Sequence, residues 1–138
     1  MNMPVQRVLA KYGAVKVTTA NPGQILVMLY DGLLRFLRDA SDSMRAKNRA
    51  RAGERISQSM AIVRQLLGDL DSTHAPELCD NLRALYIFCM KHLLEANLEQ
   101  NSAKIDDVIR LLSPLHEAWV EAVAQTSRAR LSLVSGGA

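Results

Sequence analysis

Asn21-Pro22-Gly23-Gln24-Ile25-Leu26-Val27-Met28-Leu29-Tyr30, continuing with no further proline to Met44-Arg45-Ala46, decides the fold. Asn21 can cap a helix, Pro22 is pre-set for its first turn, and Gln24 stands where a capping box needs its third residue. Leu26, Tyr30, Leu33, Leu37, Ala40 and Met44 then recur in alternating steps of four and three, the spacing of a bundle seam. Asp31, Arg35, Arg38 and Asp42 fill a charged stripe beside it. The pattern predicts a helix over 22–46.

Three more segments repeat this grammar. A second helix is expected over 50–70 with Ile56, Met60, Val63, Leu67 and Leu70 as its seam, its opening turn weakened by Gly53. Pro76 and Glu77 open a third, to about Leu98. Asn101 or Ser102 caps a fourth, to about Gln125, which Pro114 should bend by removing a hydrogen bond to Arg110. Trp119 falls in register with Leu112, Leu115 and Ala122, as a core residue whose indole nitrogen sits near a boundary. Short connections force neighbouring helices antiparallel, so the expected fold is all-α: an antiparallel up-down four-helix bundle over residues 21–125. Ahead of it, residues 1–20 read as a short helix carrying Val5, Val8, Leu9 and Tyr12, followed by a β-branched linker. Behind it, residues 126–138 read as a flexible tail.

Two stretches carry more apolar surface than one seam buries. Ile25 to Tyr30 are six consecutive apolar residues, which at about 100° per residue point in every direction. On the third helix Leu82, Cys89, Leu93 and Ala96 gather on the core side around Leu85, whereas Ile87, Met90, Leu94 and Leu98 form a separate outward stripe. On the second helix Ile62 and Leu66 also stand off the seam. The amino-terminal segment, the tail, a second copy or an exchangeable partner would cover such stripes. The 1–20 segment is itself a candidate plug for a groove.

Charge and chemistry narrow the function classes. The net charge of +3 conceals +6 over residues 1–69 and −3 over 70–138, with a cationic run at Arg45, Lys47, Arg49, Arg51 and Arg55. That run suggests phosphate contacts, but it lacks interleaved aromatics, so nucleic-acid binding through residues 45–55 is the alternative and a solvated interhelical loop the simpler reading. Cys79 and Cys89, ten residues apart on one helix, lie beyond disulfide reach. The Glu-x-x-His pairs of di-metal bundles are missing; His92 with Glu95 is the reverse order and occurs once. Phosphate loops, nucleophile elbows and catalytic Cys/His spacings are missing too, so neither an enzyme nor a cofactor is expected. With no secretory leader and no apolar run long enough to span a bilayer, a cytoplasmic protein without membrane insertion is expected.

The order of four strings is specific. AlaAsnProGlyGlnIleLeuValMetLeuTyrAspGly (20–32), AsnLeuArgAlaLeuTyr (81–86), AlaAsn (96–97) and the late Trp119 together resemble the flagellar export chaperone family FliS over nearly the whole chain. Asn21 and Gln24 stand where family members typically carry Ser and Glu, both good capping substitutes. The resemblance implies a cytosolic bundle that binds the disordered carboxy-terminal segment of flagellin, blocks premature polymerisation and hands the client to the gate of the export apparatus. It implies no nucleic-acid partner, and self-association into a homodimer is left open. Client-facing positions carried over on this basis are Tyr12, Val17, Leu26, Leu29 and Tyr30; Ile87, Met90, Leu94 and Asn97 join them chiefly from the outward stripe.

Overall fold

The computed structural model describes residues 22–136, and these form four helices and no strand: α1 (Pro22–Arg45), α2 (Arg49–Gly68), α3 (Pro76–Glu99) and α4 (Ser102–Gly136). The expected short helix and linker over 1–20, with Tyr12 and Val17, lie outside the described residues. Helix α1 packs on α2 and α4, and α3 packs on the same two, so the four close into a ring in chain order. Cross-links set the directions. Asp31 reaches His116 and Ser41 reaches Asp106, so α4 numbers fall as α1 numbers rise; Lys104 reaches Glu95 and Asp107 reaches His92, so α3 and α4 run antiparallel as well.

The turns are short, and each is built by local chemistry. Asn48 caps α2 by accepting the Arg51 N–H at 3.2 Å, and Asn101 opens α4 by accepting the Ala103 N–H at 3.1 Å. Lys47, Ala75 and Gln100 all adopt positive φ, at 66°, 52° and 52°, a left-handed conformation that costs a non-glycine residue roughly 1–2 kcal/mol. Packing of the helices on either side must offset that cost. Pro76 follows Ala75 at the first turn of α3, where its missing N–H would have had no helical partner.

The six α1 seam residues expected from spacing are all buried, and they meet Ile56 and Val63 of α2, Leu82, Cys89, Leu93 and Ala96 of α3, and Leu112, Trp119 and Ala122 of α4. Three details differ from the sequence expectation. On α2 the buried face is Ala52, Ile56, Ser59, Val63 and Leu66, while Met60, Leu67 and Leu70 pack only partly against it. Ser59 tolerates this position because its hydroxyl donates to the Arg55 carbonyl at 2.9 Å. On α3 Tyr86, not Leu85, completes the seam, and its hydroxyl lies 2.5 Å from that of Tyr30 across the core. Finally, α4 does not stop near Gln125. It continues through Pro114 and on to Gly136, because nothing between Thr126 and Val134 breaks a helix and Arg, Ala and Leu favour one.

Trp119 is buried with its ring edge toward Tyr30, centroids 6.1 Å apart and planes at 69°. Its indole nitrogen, expected near a boundary, instead reaches no acceptor at hydrogen-bonding geometry. Both cysteines are buried and unpaired; burial pushes the Cys89 thiol up to about 12, and Cys79 donates to the Asp71 carbonyl at 3.2 Å. Gly53 faces Asn97, and a methyl group placed on it would sit 3.8 Å from the Asn97 side-chain oxygen, an ordinary contact. Gly53→Ala is therefore expected to stabilise the protein by about 0.5–1 kcal/mol, read as a higher urea midpoint with an unchanged slope.

Candidate polypeptide-binding surface

The outward stripe of α3 is present as side chains in solvent. Ile87 is 52% exposed, Leu94 51% and Leu98 77%, with Met90 half-buried beside them. These residues follow the seam of α3 on its other side: once Leu82, Tyr86, Cys89 and Leu93 turn inward, residues one or five positions further on must turn out. Lys91 is exposed in the middle of the stripe, and Asn97 lies half-buried at its edge against Gly53. Toward α4 the stripe is bordered by Phe88, stacked on His92 with centroids 4.8 Å apart, and by the exposed Leu111.

The start of α1 divides differently from the expectation. Leu26 and Tyr30 are core residues and are unavailable to a partner while the bundle stays closed, which corrects their assignment to an outer face. They lie on the α1 seam, and the same residues cannot serve both the seam and the surface. Leu29 is half-buried, and the exposed member of the run is Met28. Gln24, Val27 and Met28 line an apolar cleft of about 310 Å³ closed on its other side by Val120 and Val123 of α4. Sequence reasoning missed Met28 and Val120 as surface groups, although Met28 falls between seam positions in the same six-residue run.

Ion pairs consume much of the cationic run. Arg45 bonds Asp42 and, at 2.6 Å, Asp106; Arg51 and Arg55 both bond Asp39, at 2.8 and 2.6 Å. Lys47 and Arg49 are left exposed. Three of five cations thus face carboxylates within the bundle, which works against a phosphate-binding face. The hydrogen bonds from Arg51 and then Arg55 hold the Asp39 carboxyl down at about 2, against an ordinary 3.8. A depressed carboxyl contributes stability above its unfolded value and loses it as pH falls through the folded one. Acid unfolding is accordingly expected to steepen between pH 3.8 and about 2, and Asp39→Asn to flatten that portion of a thermal-midpoint-versus-pH curve.

His92 bridges to Asp107 at 3.0 Å and holds that carboxyl below its usual range, with Arg110 adding to the effect. His116 bridges to Asp31 at 2.5 Å. Both histidines join helices, and no group of three metal-ligating side chains occurs among the described residues. No helix among them is long and apolar enough to cross a membrane.

A closed four-helix bundle whose core is complete and which leaves a line of large aliphatic side chains outside it defines an all-α class of protein with apolar surface to spare. Comparison with known proteins gives that class a family. The family model described as "Flagellar protein FliS" matches residues 5–126. A flagellar secretion chaperone FliS of Bacillus subtilis is 26% identical over 128 residues, covering 93% of this chain and 95% of the relative. That of Escherichia coli is 33% identical over 112 residues, covering 80% and 82%, and that of Salmonella typhimurium 34% identical over 104 residues, covering 75% and 77%. The chain belongs to the FliS family, and its role is that of a flagellar export chaperone.

Proposed function

We propose that this protein binds the disordered carboxy-terminal segment of newly made flagellin in the cytoplasm, prevents its premature polymerisation and keeps it competent for flagellar type III secretion through the export gate. The observation that carries this reading is the exposed α3 stripe of Ile87, Leu94 and Leu98, which the finished core does not use. A disordered client must bury a large area to offset the cost of ordering itself, and a bundle offers that area as several shallow apolar strips. The α3 stripe and the cleft at Val27, Met28 and Val120 are two such strips on different sides of the ring. Tyr12, Val17 and the rest of residues 1–20 act in this reading as a plug that the client displaces.

Titration calorimetry with the carboxy-terminal peptide of the cognate flagellin tests the proposal. Binding with a clearly negative heat-capacity change is expected, the mark of apolar burial. No binding, or binding that collapses between 50 and 200 mM salt as phosphate contacts do, would reject it. Deleting residues 1–13 is expected to leave the bundle folded and client affinity equal or higher; a marked weakening would remove the plug.

A further inference from the structure

We infer that the groove between α1 and α4 ends in a carboxylate-binding site made by Arg38 and Arg110, which takes an acidic side chain of the bound client, a step that rests on the client-binding reading above. Of the charged stripe on α1, three members are already engaged: Asp31 bonds His116 at 2.5 Å, Arg35 lies over the Phe36 ring at 5.8 Å, and Asp42 pairs with Arg45 at 3.3 Å. Arg38 is exposed and has no carboxylate, carbonyl or ring partner among the described residues. It lines a cleft of about 360 Å³ together with Ser41, Asp42 and Arg45 of its own helix and Asp106 and Arg110 of α4.

The floor of this cleft is fixed and its acids are occupied. Ser41 is buried and donates to one Asp106 oxygen at 2.7 Å, while Arg45 donates to the other at 2.6 Å. Arg45 also holds Asp42, one turn beyond Arg38. The lining therefore carries three guanidinium groups against two carboxylates, a surplus of one positive charge. Arg110 bonds Asp107, which does not line the cleft and is shared with His92; a guanidinium has five N–H donors, so others on Arg110 stay available. One arriving carboxylate cancels the surplus and finds donors on both walls, whereas a phosphate brings a second negative charge toward Asp42 and Asp106.

Position says which carboxylate. The same groove holds the apolar cleft at Val27, Met28 and Val120, with the Asp31 to His116 bridge between the two. Along α1 the step from Met28 to Arg38 is about 15 Å of rise, which an extended chain covers in about four or five residues. A client strand that seats an aliphatic side chain at Met28 therefore brings the residue four or five positions away to Arg38, and Asp or Glu at that place is what the site selects.

Titration calorimetry of the full chain with the carboxy-terminal peptide of the cognate flagellin tests this, alongside the same peptide with each acidic residue changed in turn to its amide. Arg38→Gln is expected to weaken binding of the unmodified peptide about tenfold, the scale of one hydrogen-bonded charge pair. The melting temperature should stay put, since that side chain is exposed and unpartnered. One amide peptide should lose the same factor against the unaltered chain and lose nothing more against Arg38→Gln, the mark of a shared contact. Arg35→Gln removes the same charge from the same stripe outside the cleft, and should leave affinity within about twofold because salt screens an exposed charge that touches nothing. Affinity indifferent to Arg38→Gln, equal losses from Arg35→Gln and Arg38→Gln, or losses from Arg38→Gln that add to those of every amide peptide would overturn the site and leave the client reading standing. A peptide that does not bind the unaltered chain at all would overturn both.

Discussion

Trp119→Ala is expected to destabilise the protein by about 3–5 kcal/mol, a large part of the roughly 5–15 kcal/mol that a domain of this size has in total. Trp119 is almost fully buried, meets Tyr30 edge-on and stands where α4 faces α1, so its removal leaves a cavity that rigid helices cannot close. Trp119→Phe separates packing from hydrogen bonding. The indole nitrogen reaches no acceptor, so a phenyl ring forfeits volume but relieves a buried donor that lacks a partner. The phenylalanine variant should therefore cost less than half as much as the alanine variant in urea denaturation. Equal costs would mean that the indole N–H is satisfied in solution by a group such as a bound water.

The second large effect is on the client. Ile87→Asp with Leu94→Asp is expected to lower affinity for the flagellin peptide about a hundredfold, each aspartate removing an apolar anchor worth roughly 1–2 kcal/mol and placing a charge in the contact. Both side chains are half in solvent in the free protein, so the melting temperature should move by no more than a few degrees. A collapse of stability would show the two residues to be core. Unchanged affinity in a stable variant would move the client to the other side of the ring, and Met28→Asp at the apolar cleft would then be the informative substitution.

The helices and most of the core were legible from spacing alone because α1 is strongly two-faced: every fourth and third residue from Leu26 to Met44 is apolar, and the charges between them agree. Helix α2 was harder. Ala52 and Ser59 are small and weakly apolar, so Leu66 and Leu67 competed for one register, and only packing against α1 and α3 decides between them. Tyr86 was obscured by its neighbour Leu85 for the same reason. The outward stripe of α3 could be read as surplus, whereas Leu26 and Tyr30 carried two readings at once, inside by the seam spacing and client-facing by their place in an unbroken apolar run. Long-range ion pairs such as Asp39 with Arg51 and Arg55 leave no periodic trace, and neither does a helix end that lacks a stop residue before Gly136.

The hydroxyls of Tyr30 and Tyr86 touch across the diagonal of the ring, and burial lifts the Tyr30 phenol to about 12, so it keeps its proton at any physiological pH. Sliding α1 past α3 by one turn would strand both phenols in hydrocarbon, at a cost of roughly 1–3 kcal/mol each. The diagonal is thus keyed like a peg in its slot, and it fixes the register of α1 against α3.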